Sequence, residues 1–561
     1  MATITQPALP RVPKSPGVIY SVIAVSMVVL LGTLALSSRQ PPPPTIAEFA
    51  PQAVEQITDA PSGQAGTSGG GGPGGECPPG QLVCDPSQTG SEGGLGGLPE
   101  EEPIDVPRVR KCVGQPPRQT EDPQSPPCVP YFSGDNGGAT YKGVTANEVR
   151  VLTPANQTFA EPYANYFNSR YEFYGRKIKV VKDVSTGFGA PPPHQMVADA
   201  KKADEESKVF ASTLYGDAGG QEYVFYDELA RRGIVSMNGR PVMASESDFA
   251  RFHPYQWSYL PGYDQMARSK AEWICKALKG RNAEFSGSYV AIERKFGMVT
   301  TVRPDGYKPN QTAMRSILSG CGIDLGDYDE EMVMDGNDQS GINQARGIVQ
   351  KFQLGNVTSI ICECHTQSSG FYMGPQASAQ GYLPEWLIGT YMYQAEDTHA
   401  NTWTADQVNH SFGHSWWDKQ LRPQDSPWYT AIREGDRSTV FGSPYDYYEA
   451  RWMFNSIRLL AAGIQMAGPR LTPDSFAQGL MREEFPNPGA GGPPFYQASV
   501  SFGPSDHSAI DDAALVWLTT TQNSNWFDRP GAKCYVRSGV RYRLGTWPSD
   551  NAGLYTPTAC Y

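Results

Sequence analysis

The chain has 561 residues, a formal charge of −12, 59 glycines and 48 prolines. That acidity and the lack of a Lys/Arg cluster interleaved with aromatics argue against nucleic acid as a partner, because phosphate backbones reward basic patches. The length allows two or three domains, but the glycines and prolines crowd the front, so not all of the chain can build a core.

Residues 1–16 carry Arg11 and Lys14 and precede an uncharged apolar run at 17–36. A run of about 20 apolar residues matches the thickness of a bilayer, and the preceding cations place the N-terminus in the cytoplasm. The run reads as a retained single-pass anchor. Cleavage after the small-residue site Ala35-Leu36-Ser37 is the alternative, and in both cases the body is exported. Residues 37–130 hold prolines 41–44 and glycines 69–72 and few aromatic or β-branched residues. Such a composition cannot offset its ordering entropy, so this stretch reads as a linker.

From residue 131 the pattern changes. Strand-like and helix-like runs alternate: strands at 149–152, 177–183, 209–213 and 234–237, with helices at 161–174, 194–206 and 220–232. After a crossover through Trp273 and Leu278 a second series starts with a strand at 289–292, takes helices at 311–318 and 342–352, and runs to a strand at 387–388. Parallel strands need helical crossovers, so the alternation implies two open α/β sheets in tandem. A histidine- and tryptophan-rich insertion at 395–425 follows. A long amphipathic helix at 446–466 comes next, and strands at 513–518 and 534–544 end the chain.

Ten cysteines in an exported body point to disulfides. Sequence proximity suggests Cys77–Cys84, Cys112–Cys128, Cys275–Cys321 and Cys534–Cys560. Cys362 and Cys364 share one strand face at a separation near the upper limit for bridging. Together with His365 they resemble a metal cluster, as do His410 and His414 at helical spacing. Yet zinc sites favour two-residue gaps between cysteines, so no metal is expected. A thiol hydrolase built on Cys364 and His365 fails because neighbours on a strand point to opposite faces. Asp506, His507, Asp511 and Asp512 read as a turn with local hydrogen bonds, with cation binding or acid–base chemistry as the alternative. No phosphate loop, nucleophile elbow or zincin helix is present, so neither enzymatic activity nor a cofactor is expected.

The order of elements, with Val209-Phe210-Ala211-Ser212-Thr213, Gly233-Ile234-Val235-Ser236, Glu293-Arg294-Lys295-Phe296-Gly297 and the helix near 445–468, resembles type 1 periplasmic binding proteins. The branched-chain amino-acid receptors that feed ABC transporters are the nearest group. The resemblance covers about 145–530 and implies two Rossmann-like lobes with open parallel sheets joined by hinge strands. Lobe 1 would be 131–262 plus 422–495 and lobe 2 would be 263–421 plus 496–561. It also implies a small solute held between the lobes, and an ABC permease or, alternatively, a sensory or scaffolding role.

Parallel sheets bind ligands beyond the carboxyl ends of their strands. In lobe 1 this selects Ser212, Thr213, Tyr215 and Gly216, where hydroxyls and a helix N-terminus seat a polar acceptor. Helix capping is the plainer role for the two hydroxyls. Asn238 and Gly239 follow the next strand. In lobe 2 the same rule selects Glu293 and Phe296, His365 and Thr366, and Thr390 and Tyr391. The amino-acid receptors place a carboxylate where this chain has Gly389-Thr390-Tyr391. A buried ammonium would lack its partner, so the expected ligand is a larger or more apolar molecule.

Overall fold

The computed structural model describes residues 124–154, 157–184, 191–213, 223–237, 244–303, 308–334, 338–365, 368–389, 394–482 and 497–556, with 112, 115, 117, 118, 306 and 560 as isolated positions. The expected anchor at 17–36, nearly all of the linker and Cys77–Cys84 lie outside these residues. No helix among the described residues is long and apolar enough to cross a membrane.

Two parallel-sheet lobes emerge. The first sheet holds β1 (Glu148–Pro154), β2 (Lys177–Val184), β3 (Ala211–Ser212), β4 (Val235–Met237) and β5 (Gln256–Trp257) in the order β2-β1-β3-β4-β5. All four of its pairings are parallel. The second sheet takes β6 (Phe296–Val302), β7 (Asp329–Val333), β8 (Ser359–Glu363), β9 (Glu385–Ile388) and β10 (Ser411–Ser415) as β7-β6-β8-β9-β10, again parallel. Both are therefore the same doubly wound order, with helices filling the crossovers. The second sheet is then extended by antiparallel strands β11 (Asp512–Asn523), β12 (Pro530–Tyr535) and β13 (Arg541–Arg543).

Each lobe buries its own core. In the first, Leu152, Val209, Phe225, Leu229 and Ile234 pack together; in the second, Val299, Phe352, Ile360, Trp386 and Val516 do so. The helix Tyr445–Ala467 closes the other face of the first sheet. Its apolar spacing holds as expected, with Phe454 against Phe167 at 5.8 Å, and Tyr163 donating to the Ala450 carbonyl at 3.0 Å. Gly463 lets the helix Pro473–Leu480 approach, because a Cβ there would strike the Phe476 ring.

Three expectations need correction. The apolar run at 289–292 is not a strand. Ala291 adopts a left-handed φ of 69° and the Tyr289 amide bonds back to the Ser286 carbonyl, so the run turns and leaves Val290 and Ile292 about half exposed. The strand begins at Phe296 instead. The stretch 395–425 is not an insertion either, since it supplies β10, the fifth parallel strand. Likewise, His414 lies on β10 with His410 just before it, so the two do not share a helix face.

The chain crosses between the lobes along three adjoining segments. The Ser258 amide donates to the His507 carbonyl at 2.9 Å and the Ala509 amide to the Ser258 carbonyl at 2.8 Å. Asp418 on the third segment accepts from the Tyr259 hydroxyl at 3.0 Å and the Ala498 amide at 2.8 Å. Beside them, His507 bridges Glu246 (2.5 Å) and His253 (2.9 Å) with Trp257 against its ring at 4.8 Å. The turn with local hydrogen bonds expected at 506–512 is present, with the Ser508 amide and hydroxyl donating to Asp506 at 3.3 Å, and Asp512 beyond it is bonded to Arg541 at 2.6 Å. Burial pushes the Asp511 carboxyl up to about 7, helped by the neighbouring Asp506 and opposed by the Ser501 hydroxyl.

Folded Asp511 thus keeps a proton that the unfolded chain releases near its ordinary value, so its contribution to stability falls as pH rises from about 4 to 7. Asp511→Asn should raise Tm by about 2 °C near pH 8 and shrink the gain on acidification. Calorimetry at several pH values checks this, and an unchanged pH profile would contradict it.

Candidate functional site

The carboxyl edges of the two parallel sheets meet. Arg303 leaves the end of β6, and its guanidinium lies 5.3 Å from the ring of Tyr223, which opens the helix Tyr223–Arg231 after β3. This cation–π contact spans the gap between the lobes. Arg303 is 5% exposed, so it lies within the seam between them.

On the lobe 1 side, Ser212 and Thr213 lie at the end of β3, fully buried. Their hydroxyls bond to the Thr213 carbonyl (3.0 Å) and the Leu152 carbonyl (3.4 Å), and Tyr226 donates to the Thr213 carbonyl at 3.3 Å. These bonds run to the backbone carbonyls of Thr213 and Leu152. On the lobe 2 side, His365 follows β8 and its amide donates to the Thr301 hydroxyl at 2.7 Å. Gly389 follows β9 and donates its amide to Gln394 Oε1 at 2.8 Å. Arg303, His365 and Gly389 therefore share one edge.

Glu293 and Phe296 do not join them. Because β6 starts at Phe296, paired with Ser359 at the start of β8, both residues sit at the amino edge of the sheet, opposite Arg303, His365 and Gly389. There the neighbouring Arg294 forms a bidentate pair with buried Glu385 at 2.7 and 2.9 Å, a structural anchor. Tyr215, Gly216, Asn238, Gly239, Thr366, Thr390 and Tyr391 lie outside the described residues.

Sequence reasoning missed a buried charge network between the lobes. Glu396 accepts from Lys533 Nζ at 2.7 Å, Arg451 Nη2 at 3.1 Å and the Ser415 hydroxyl at 3.1 Å, with no exposed surface. Burial alone would push this carboxyl up, but Lys533 and Arg451 outweigh it and hold it below the usual range. Arg451 belongs to the long lobe 1 helix, whereas Glu396 and Lys533 belong to lobe 2. Its guanidinium stacks 4.3 Å from Trp417 and 5.0 Å from Trp526, and its Nε and Nη1 have no hydrogen-bond partner among the described residues. Asp397 beside it accepts from Gln420 Nε2 and the Lys533 amide at 2.7 and 2.6 Å, and from Ser524.

Aromatic contacts continue this tie. Trp526, in the turn between β11 and β12, lies 4.6 Å from Tyr448, 5.7 Å from Tyr447 and 5.8 Å from Trp428 of lobe 1. Its indole N–H donates to the Leu421 carbonyl at 2.6 Å. The turn works as a latch across the lobes.

Cys362 and Cys364 are bonded to each other, and no group of three or more His, Cys, Asp or Glu poised for a metal occurs among the described residues. His414 stacks on Trp547 at 4.1 Å, and burial, with Lys270 nearby, drives its pKa far down. His399 is pushed down to about 3 by burial. The pairings Cys112–Cys128, Cys275–Cys321 and Cys534–Cys560 are formed as expected.

No family model and no curated protein matches the chain. Among solved structures it is similar to an ABC transporter substrate-binding protein from Aeropyrum pernix at 13% identity, covering 72% of this chain and 97% of that one with a TM-score of 0.49. A possible leucine/isoleucine/valine-binding protein from Rhodopirellula baltica SH 1 is 12% identical, covering 69% and 96%, TM-score 0.46. A solute-binding protein from R. palustris in complex with 4-hydroxybenzoate is 13% identical, covering 73% and 99%, TM-score 0.45. The first and third of these are substrate- or solute-binding proteins of ABC transporters, the group the sequence resembles. The fold assignment itself rests on the strand order and register above.

Removing one member of a buried ion network strands its partner and costs about 3–5 kcal/mol. Lys533→Met should therefore destabilise by roughly that amount in a denaturant titration. Trp526→Ala should increase the radius of gyration in small-angle scattering by loosening the lobes, and an identical scattering curve would show that the turn holds nothing.

Proposed function

We propose that the chain is an exported solute-binding protein that closes two lobes on a small organic ligand. The supporting observation is the contact of Arg303 with Tyr223, which puts a buried cation and an aromatic wall at the carboxyl edges of both sheets, where such sheets hold ligands. The lobes would run over 131–262 plus 422–495 and 263–421 plus 496–561, tethered to the membrane by 17–36. Differential affinity for the closed arrangement would drive closure. Ser212, Thr213, Tyr215, Gly216, Asn238, Gly239, His365, Thr366, Thr390 and Tyr391 remain candidate contacts, now joined by Arg303 and Tyr223, while Glu293 and Phe296 leave the set. With an arginine at the seam and no acid at 389–391, the favoured ligand carries a carboxylate and lacks a free ammonium. Delivery to an ABC permease belongs to this reading.

A sensory or scaffolding role is the second reading, favoured by the Trp526 latch and the Arg451–Glu396 tie, which resist wide opening. Crosslinking in intact cells separates the two: capture of a permease supports transport, and capture of another surface protein alone supports scaffolding.

Native mass spectrometry of gently purified protein should reveal a bound small acid. Arg303→Ala should weaken its binding about 10- to 100-fold, the worth of a charge-assisted bond. Tight calorimetric binding of leucine, isoleucine or valine would overturn the ligand class. N-terminal sequencing of the mature protein tests the tether, since a start near residue 38 would remove it.

A further inference from the structure

Cys362 and Cys364 occupy alternate positions at the carboxyl end of β8, both without exposed surface, and are joined as a disulfide. The residue between them is fixed from the opposite side. Glu363 accepts from Lys270 Nζ at 2.9 Å and the Tyr263 hydroxyl at 2.6 Å, all three buried. On the sulfur side stands Gln394. Its Nε2 donates to the Cys364 carbonyl at 2.7 Å and lies 3.0 Å from Cys362 Sγ, while its Oε1 accepts the Gly389 amide at 2.8 Å. The Gly389 carbonyl in turn accepts the Trp416 indole N–H at 2.9 Å. One amide side chain therefore connects the cystine to the exit of β9, on the same edge as His365 and Arg303.

We propose that the Cys362–Cys364 cystine is a thiol-exchange site whose redox state sets the position of the β9 exit through Gln394. Bonded sulfurs stand about 2.05 Å apart, whereas two unbonded thiols need a separation on the order of 3.5–4 Å. With Glu363 held from behind and the site close-packed, the added volume falls on the sulfur side, where Gln394 sits. The partner is a dithiol. Both sulfurs are buried, so the dithiol enters through local opening of the β9 exit; its thiolate then attacks one sulfur, forming a mixed disulfide and releasing the other cysteine as a thiolate. The second thiol of the reagent then displaces the attacked cysteine. Overall the dithiol becomes a disulfide, and Cys362 and Cys364 each gain one electron and one proton. An effect on solute affinity rests on the solute-binding reading, but the coupling of cystine to β9 exit does not.

The experiment treats the full-length protein with dithiothreitol under native conditions, maps opened pairs by alkylation and mass spectrometry, and follows amide hydrogen exchange. Opening of Cys362–Cys364 should speed exchange of the Gly389 amide at least about tenfold, since that amide loses its buried acceptor. Gln394→Ala should speed Gly389 exchange in the oxidised protein and abolish its dependence on the reagent. Unchanged Gly389 exchange once this pair is verified open overturns the proposal, as does resistance of the pair at reagent levels that open Cys112–Cys128. Cys362→Ser/Cys364→Ser, if it folds, should match the reduced protein; if it does not, the reagent-treated chain decides. Failure to find any solute would sink the solute-binding reading and leave this exchange result standing.

Discussion

Glu396, Lys533 and Arg451 form the constraint on which the arrangement of lobes depends. A carboxylate without solvent contact survives only with opposite charge and hydrogen bonds around it. Here the two cations come from different lobes, and the Ser415 hydroxyl completes the shell. Moving the lobes apart takes Arg451 from Glu396 while Lys533 stays, so the carboxylate keeps one partner. The network therefore resists separation without forbidding it, and the adjacent aromatic turn adds to that resistance.

The duplicated strand order accounts for the rest of the geometry. Because each parallel sheet gathers its loops at one edge, the residues with chemistry converge there without needing neighbouring sequence positions. Arg303 follows β6, His365 follows β8 and Gly389 follows β9, and only the order β6-β8-β9 makes them a row. The hinge cluster of Glu246, His507 and His253 lies elsewhere, beside the crossing segments. The row at the carboxyl edge and the cluster beside the crossing segments thus use separate sets of residues.

Much of this was legible in the chain. Strands rich in Val and Ile, such as β1 and β2, announce themselves, and the periodic spacing of Phe454, Ile457, Leu460 and Ile464 announces the long helix. Three features were hidden for physical reasons. Tyr289-Val290-Ala291-Ile292 reads as a better strand than its surroundings, but the backbone turn at Ala291 overrides propensity, and the error moved Glu293 and Phe296 to the wrong edge. β10 was concealed because Ser411-Phe412-Gly413-His414-Ser415 has one large apolar residue, although every position is buried. It belongs in the sheet because Gly413 leaves room for the Ile388 backbone, which would crowd any Cβ. Arg451 escaped notice since helix periodicity counts apolar residues and passes over a buried cation.

The antiparallel hairpin that extends lobe 2 also has a kinetic meaning. Lys533 follows Glu396 by 137 residues, with the long lobe 1 helix emerging between them. In a chain that appears from one end, Glu396 stays hydrated until the last strands arrive, so lobe 1 can consolidate while its neighbour is still unfinished. Assembly becomes sequential, and docking of the two halves waits for β12.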